Sequence, residues 1–328
     1  MPRSNREATA RSRADTFWLR WPPVCRDRLE ASGQSSRVGA VQKDELMKVG
    51  EIEAKTVLVR SKLPDAEYVV NPYTGCELGC LYCYATFTGR FVGEPMDNWG
   101  NYVYAKVNAV TIFSGELERL RRGEQAPSIL LSSVSDPYQG AEKKYRLTRG
   151  ILEALAREPY PGVVSILTKS PLVLRDVDIL RRIPRAEVGL TVTTTDDRLS
   201  RFVEVRAPLA SRRLRTLAEL HDAGVETYSF VGPLLPHFRY DPEALDELFA
   251  GLAKAGVSSV FVEQINLRPY IRQRLWQILK RESEAVQQAY RDASTAEHRE
   301  ALDAIVGRLI QKHGLKLRLN KVLFHNES

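Results

Sequence analysis

Three of the four cysteines in this 328-residue chain, Cys76, Cys80 and Cys83, lie within one stretch of eight residues. Gly79 stands between the first two, as expected of a tight loop that points several thiolates at one metal centre. Short-spaced cysteines of this kind are typical ligands of iron–sulfur clusters. A cube-shaped four-iron cluster has one ligand position on each iron, so three cysteines leave one iron open to a non-protein ligand. An open iron indicates catalysis rather than electron storage alone, just as a catalytic zinc keeps one position free.

From the residues alone, two other interpretations of these thiols stay open. One is a structural zinc site with Cys25 as the fourth ligand, and the other is a set of unrelated buried thiols. Zinc sites usually combine two short paired motifs, whereas this chain has one cysteine cluster. The pattern therefore favours an iron–sulfur cluster.

A parallel α/β scaffold is predicted to position the cysteine stretch. From Tyr68 onward, β-branched and apolar runs alternate with helical patterns, which is typical of repeated βα units. The predicted strands are 68–70, 129–132, 163–168, 188–193, 227–231 and 259–264. The predicted helices are 112–122, 147–157, 172–182, 209–223, 242–255 and 271–289. Right-handed crossovers would curl these units into a partial (β/α)6 barrel of the TIM type.

The chain divides into three predicted parts. Residues 1–46 are rich in arginine and serine with little periodicity, so we expect a mostly disordered N-terminal extension. Residues 47–270 form the predicted barrel. Residues 271–328 are expected to be a C-terminal helical extension, with a helix at 296–312 and a terminal strand at 315–319.

Composition limits the cellular setting and the partners. No apolar run is long enough to cross a bilayer, and the N-terminus lacks the apolar core of a signal peptide, so we expect a cytoplasmic protein that does not bind a membrane. Four cysteines, three of them clustered, do not form a disulfide framework. A pI of about 9.2 and a formal net charge of +7 permit a polyanionic partner such as DNA or RNA. The oligomeric state does not follow from the sequence.

The cysteine spacing, with Tyr82 immediately before the last cysteine, resembles the signature of the radical S-adenosylmethionine (SAM) superfamily. This resemblance implies that Cys76, Cys80 and Cys83 hold a [4Fe-4S] cluster whose open iron is chelated by SAM. An electron from the reduced cluster would cleave SAM to a 5′-deoxyadenosyl radical, and Tyr82 would lie against the adenine. It also implies a reducing partner such as a flavodoxin or a ferredoxin.

Polar residues follow the other predicted strands, where active sites of parallel α/β barrels are found. Under the resemblance they are candidates for SAM binding: Ser135, Asp136, Lys169, Thr194, Glu204, Asn266 and Arg268. Purely structural roles stay open for several of these residues. Asp136 is also suited to cap a turn, Lys169 to be a solvated surface lysine, and Arg268 to form an intramolecular ion pair.

Further motifs resemble the spore photoproduct lyase-related branch of the superfamily; they lie at 71–76, 133–139, 147–149, 168–170 and 175–176. Spore photoproduct lyase reverses a thymine dimer of DNA, and a cysteine just before its Ser-Asp pair returns a hydrogen to the product. Here Ser133 stands at that position, and its O–H bond is too strong to serve in the same way. Ser133 and Tyr138 are thus the catalytic candidates; either Tyr138 substitutes as the hydrogen donor, or the reaction needs no donor.

The predicted function is a radical SAM enzyme that acts on a DNA lesion or a nucleic-acid base. One alternative is a radical SAM enzyme for a small molecule or a peptide. The other is a non-catalytic iron–sulfur redox sensor that binds nucleic acid, which the candidate SAM residues Lys169 and Asp136 disfavour, because a sensor does not need to bind SAM.

Overall fold

The computed structural model describes residues 47–123 and 125–324. Its strands, in chain order, are β1 (Lys48–Ile52), β2 (Leu58–Arg60), β3 (Tyr68–Val70), β4 (Tyr73–Gly75), β5 (Tyr102–Lys106), β6 (Ile129–Leu131), β7 (Val164–Thr168), β8 (Ala186–Thr191), β9 (Glu226–Leu234), β10 (Ser259–Gln264) and β11 (Lys316–Leu317). The predictions for residues 1–46, including the role of Cys25, lie outside the described residues.

The α-helices are α1 (Ala109–Arg121), α2 (Ala141–Tyr145), α3 (Leu147–Arg157), α4 (Val177–Leu180), α5 (Asp197–Val203), α6 (Ala210–Asp222), α7 (Pro242–Lys254), α8 (Pro269–Leu279), α9 (Glu284–Asp292) and α10 (Ala296–Lys312). Short 3-10 helices add Tyr84–Phe91, Met96–Asn98, Pro171–Asp176, Pro236–Arg239 and Arg318–Asn320. Over the described ranges, no helix has the length and apolarity that a membrane crossing requires.

The main sheet has the strand order β2-β3-β6-β7-β8-β9-β10-β11. Neighbouring strands are parallel, except that the edge strand β2 runs antiparallel to β3. The six predicted strands are all present, as β3 and β6 to β10. Helical crossovers join these parallel strands, so their carboxyl ends meet at one edge of the sheet. The predicted α/β fold with a parallel central sheet is thereby confirmed.

A second, three-stranded sheet was not predicted. Its order is β1-β5-β4, with β1 parallel and β4 antiparallel to β5. The Glu94 carboxylate links strands β1 and β5 of this sheet by accepting hydrogen bonds from the Lys48 ammonium at 2.7 Å and the Tyr104 hydroxyl at 2.8 Å. Strand β4 ends one residue before Cys76, so this sheet sets the start of the cysteine loop.

Two predicted helices differ from the structure. In place of 172–182, the chain forms a 3-10 turn and the short α4; the turn begins at Pro171, and Ser170 caps it by accepting the Leu172 N–H at 3.3 Å. In place of 271–289, it forms α8 and α9, which are separated at Ser283, the N-cap of α9. The predicted terminal strand is only two residues long, since Leu319 and Asn320 adopt positive φ angles of 61° and 52°.

The hydrophobic core lies between the outer helices and the main sheet. Strand residues such as Ile166, Val188 and Val262 pack with helix residues such as Ile151 and Leu248, all of them fully buried.

Polar side chains pack together at the amino ends of the strands of the main sheet. Arg318 donates to Glu187 at 2.8 Å and lies 4.3 Å from the Tyr228 ring centroid, while Ser165 donates to Glu187 at 2.8 Å. The amino end of the barrel is therefore plugged, and the candidate site lies at the opposite end.

Candidate active site

The cysteine loop begins directly after β4, at the carboxyl edge of the main sheet. Cys76 and Cys80 are buried, Cys83 is half-buried, and all three are free thiols. Burial raises the pKa of the Cys76 thiol well above its usual value, and the neighbouring Asp136, Cys80 and Cys83 raise it further. Burial likewise raises the pKa of Cys80 to about 12. Three free thiols on one loop fit a bound cationic centre, which holds cysteine ligands as thiolates.

Two glycines allow the loop to pack against a neighbouring turn. Gly79 and Gly100 have φ angles of +62° and +100°, and a Cβ on Gly100 would lie 2.9 Å from the Gly79 Cα. The Arg206 guanidinium fixes the same turn by donating to the Gly100 carbonyl and, at 2.9 Å, to the Asn101 side chain. The backbone therefore approaches more closely than any residue with a side chain would permit.

The thiols are not arranged for a single ion. Within residues 47–123 and 125–324, no three His, Cys, Asp or Glu side chains converge on one metal position. A four-iron cluster takes one thiolate on each of three irons, so its ligands stand apart. The cysteine loop supplies the three thiols that such a cluster requires from the protein.

A short segment after α5 runs along the cysteine loop. Leu81 N–H donates to the Val203 carbonyl at 2.9 Å, and Arg206 N–H donates to the Leu78 carbonyl at 3.0 Å. Between these bonds, Cys80 and Glu204 form an antiparallel bridge. We call residues 203–206 the strap; it brings Glu204, a predicted SAM-binding residue, against the loop.

Glu204 is the centre of a buried polar network. Its carboxylate accepts hydrogen bonds from the Tyr82 hydroxyl, the Arg213 guanidinium and, at 3.2 Å, Ser200. Glu204 and Arg213 are both fully buried. Burial alone would raise the pKa of the Glu204 carboxyl, but Arg213 and Lys169 hold it below the usual value. Glu204 is therefore an anion bonded to the tyrosine of the cysteine motif.

Lys169, which follows β7, places a positive charge beside the loop. Its ammonium lies 5.8 Å from the centroid of the Tyr82 ring. Burial would lower the pKa of Lys169, but Cys80 and Glu204 more than offset that effect and raise it. The side chain is half-buried. It is a cation set into the site, not a solvated surface lysine.

Asp136 joins the ends of two strands. Its carboxylate accepts hydrogen bonds from Thr168 Oγ1 at 2.6 Å, Lys169 N–H at 2.7 Å and Tyr138 N–H at 2.9 Å. Burial raises the pKa of this carboxyl. Neighbouring Ser135 donates to the Tyr73 carbonyl at 3.4 Å. Asp136 therefore does cap a turn, and both of its oxygens have protein partners.

The two catalytic candidates face different surroundings. Ser133 is held by the Asn71 side chain, which accepts its N–H at 2.9 Å, and its carbonyl accepts the Tyr84 hydroxyl at 2.5 Å. Tyr138 is buried in the main core, and Arg175 lies 5.9 Å from its ring centroid. Burial, followed by Asp176, raises the pKa of the Tyr138 phenol. Ser133 stands beside the cysteine loop, whereas Tyr138 stands beside a buried ion pair.

The remaining candidates lie at the ends of β8 and β10. Thr194 is buried, and its hydroxyl accepts the Asp196 N–H at 3.0 Å, which starts the turn into α5. Asn266 is half-buried between β10 and α8, and the exposed Arg268 is the N-cap residue of α8.

Three contacts at this edge were not predicted. Tyr84 follows the last cysteine and is 44% exposed, although its hydroxyl is bonded to Ser133. From α8, Arg274 donates to the Cys83 carbonyl, and Tyr270 donates to the Tyr84 carbonyl at 3.1 Å. Arg213 belongs to an arginine-rich run that reads as a solvated helix face, so no sequence signal marked it as buried.

Comparison with known proteins identifies the family. The model of the radical SAM superfamily matches residues 70–249, which include the cysteine loop, the strap and the strand ends from β6 to β9. The chain belongs to the radical SAM superfamily. It is accordingly a radical SAM enzyme, and the cofactors of its superfamily are a [4Fe-4S] cluster and SAM.

Among curated relatives, an uncharacterized protein of Methanocaldococcus jannaschii is 33% identical over 66% of this chain and 78% of its own length. An uncharacterized protein of Mycobacterium tuberculosis is 32% identical over 71% of each chain. A radical SAM Nalpha-GlyT isomerase of Pseudomonas phage M6 is 25% identical over 60% of this chain and 38% of its own length.

Among solved structures, spore photoproduct lyase in complex with a dinucleoside spore photoproduct is similar to this chain with a TM-score of 0.63. The alignment covers 94% of this chain and 96% of the lyase at 17% identity. At that identity the likeness concerns the fold.

Proposed function

We propose that this radical SAM enzyme binds its cluster through Cys76, Cys80 and Cys83 and acts on a nucleic-acid lesion or base. The observation that supports this most is the three adjacent thiols at the carboxyl edge of a parallel sheet, with Tyr82 and the cation of Lys169 beside them. When bound, the cluster supplies the electron that cleaves SAM to methionine and a 5′-deoxyadenosyl radical.

The chain's own residues have distinct proposed roles around SAM. The Lys169 ammonium pairs with the SAM carboxylate, and the remaining lone pairs of Asp136 accept from the SAM amino group. Tyr82 lies along the adenine, while Thr194, Asn266 and Arg268 line the rim. These roles require SAM to lie across the ends of β6, β7, β8 and β10.

A nucleic-acid substrate is supported by three observations. The motifs of the chain resemble the spore photoproduct lyase-related branch, and its fold is that of a lyase solved with a dinucleoside photoproduct. The formal net charge of +7 favours a polyanion.

The final hydrogen transfer differs from that of the lyase, because Ser133 replaces the donor cysteine. Tyr138 is a weak substitute, since its hydroxyl is buried in the core beside Asp176. The proposed reaction therefore returns the hydrogen by another route, such as from 5′-deoxyadenosine itself, or needs no donor. The electron is proposed to come from a flavodoxin or a ferredoxin. An oxygen-sensitive cluster suits a reducing compartment such as the cytoplasm.

The test is anaerobic reconstitution followed by a SAM-cleavage assay with and without ultraviolet-irradiated DNA. We expect 5′-deoxyadenosine under strong reduction, a rise on adding irradiated DNA, and none from Cys80→Ala. DNA binding should weaken steeply as salt increases. Absence of 5′-deoxyadenosine would refute the enzymatic proposal. Release that ignores DNA, with binding insensitive to salt, would favour a small molecule or a peptide as substrate.

A further inference from the structure

A turn and helix α5 connect the end of β8 to the strap, which lies against the cysteine loop. Asp196 N–H donates to Thr194, and the Asp196 side chain caps α5 by accepting the Arg198 N–H at 2.7 Å. Helix α5 ends at Val203, and the next residue, Glu204, bridges Cys80. A strand end proposed to bind SAM is thus joined to the loop proposed to hold the cluster.

Glu204 contacts the loop in two ways. Its backbone pairs with Cys80, and its carboxylate accepts the hydroxyl proton of Tyr82. The first contact fixes the backbone that carries a cluster ligand. The second fixes the ring of Tyr82, whose face is also approached by Lys169.

Arg213 holds Glu204 in place from the far side. Its guanidinium donates to Glu204, to Ser200 at 2.7 Å, and to the carbonyls of Pro208 and Thr191 at 2.8 Å each. Two charges with no solvent exposure are costly to bury, and a pair of apolar residues would often be as stable. A fully satisfied buried network of this kind fixes one arrangement of the groups bonded to it.

We propose that Glu204, locked by Arg213, is a positioning residue that orients Cys80 and Tyr82 for the cluster and SAM. This inference rests on the proposed function, because it assigns the cluster to the three cysteines. Glu204 acts through Tyr82 and the loop backbone, as outer partners of metal ligands do.

Two variants separate the contacts. Tyr82→Phe removes the hydroxyl but keeps the ring and the Glu204–Arg213 pair. Glu204→Gln keeps the size of the side chain but carries no charge. Tyr82 and Arg213 donate to different oxygens of Glu204, and the amide has an acceptor at only one of these two positions. The matched control is Glu187→Gln, which removes a carboxylate from an ion pair with Arg318 at the plugged end of the barrel.

Three measurements distinguish positioning from general stability: retention of iron against a chelator after reconstitution, the change in the cluster's electron paramagnetic resonance spectrum on adding SAM, and the alkylation rate of Cys80 relative to Cys83 in cluster-free protein. Thermal unfolding of each variant is recorded beside them. The alkylation measurement requires neither cluster nor SAM.

We expect Tyr82→Phe and Glu204→Gln to weaken iron retention by about 10- to 100-fold, the range seen when outer partners of metal ligands are removed. The SAM-induced spectral change should be altered, and Cys80 should be alkylated faster. Glu187→Gln should lower the melting temperature without these effects. If Glu204→Gln does not fold, the same measurements on Tyr82→Phe test the inference.

If both variants lose stability but match the wild type in iron retention, spectrum and alkylation, the network is only a structural brace and the inference is overturned. A wild type that binds no cluster instead refutes the proposed function. In that case unchanged Cys80 alkylation in the variants would overturn the positioning role as well.

Discussion

At the scale of single residues, the site combines acids and bases that burial alone would neutralise. Glu204 stays ionised because Arg213 and Lys169 are adjacent, and Lys169 stays protonated because Cys80 and Glu204 are adjacent. The opposite charges of Glu204, Arg213 and Lys169 thus offset the cost of burial. In the proposed function, Lys169, between Tyr82 and the end of β7, is the cation that pairs with the SAM carboxylate.

Lys169→Met should weaken SAM binding by about 10- to 100-fold, because a charge-assisted hydrogen bond contributes about 1.5 to 3 kcal/mol. Lys169→Arg should recover part of the affinity, since it keeps the charge but not the compact shape. Titration of SAM into reconstituted protein measures this. The control is Lys144→Met, a lysine that is 73% exposed. Equal affinities of Lys169→Met and wild type would remove Lys169 from the SAM site.

At the scale of elements, the cysteine loop depends on its approach to the turn at Gly100. An added Cβ there would lie 2.9 Å from the Gly79 Cα, and the φ angle of +100° disfavours any side chain. We expect Gly100→Ala to destabilise the protein by about 1 to 3 kcal/mol and to lower iron retention. Urea unfolding and iron analysis measure the two effects.

Gly115→Ala is the matched control for that prediction. Gly115 lies within α1, and a Cβ there would meet no atom within 4 Å. The change should stabilise the protein by about 0.5 to 1 kcal/mol, because alanine suits a helix interior better than glycine. A Gly100→Ala variant as stable as Gly115→Ala would contradict the prediction, because it would show that the cysteine loop tolerates a larger separation between Gly79 and Gly100.

A histidine with a lowered pKa packs against the C-terminal helices. His237 lies in the 3-10 turn against which α9 packs, 6.3 Å from the Tyr290 ring centroid, and burial lowers its pKa from 6.5 to about 4. Between these values the unfolded chain binds more protons than the folded one, so stability falls as pH falls from 6.5 toward 4. The loss should reach about 2 to 3 kcal/mol.

Urea unfolding between pH 7 and pH 4 tests this dependence. His237→Phe should flatten the curve in that window, because phenylalanine keeps the packing and cannot bind a proton. Curves for wild type and variant that fall in parallel would assign the acid sensitivity to other groups.

Some elements of the fold could be predicted from the sequence and others could not. The cysteine loop and the six central strands were predictable, because spacing in the first case and apolar runs of β-branched residues in the second are local signals. The small sheet was not, since β4 has three residues and its partner β5 is separated from it by the whole cysteine segment. The bond between Tyr82 and Glu204 joins residues 122 positions apart, which no local pattern encodes.

At the scale of the whole molecule, the two ends of the barrel carry different tasks. The amino end is closed by the Glu187–Arg318 pair and the ring of Tyr228, whereas the carboxyl end carries the cysteine loop, Lys169 and the strap. In parallel barrels the first end serves stability and the second serves activity. Changes at the two ends should therefore be separable.

Arg318→Met tests this separation. It leaves Glu187 without its guanidinium and removes a cation 4.3 Å from the Tyr228 ring centroid, so we expect a loss of about 2 to 4 kcal/mol with unchanged iron retention. Combined with Gly100→Ala, the losses in unfolding free energy should add to within about 0.5 kcal/mol, because the sites share no partners. A larger deviation would mean that the plugged end and the cysteine loop are coupled through the strands, and that stability and cofactor binding are not divided between the two ends.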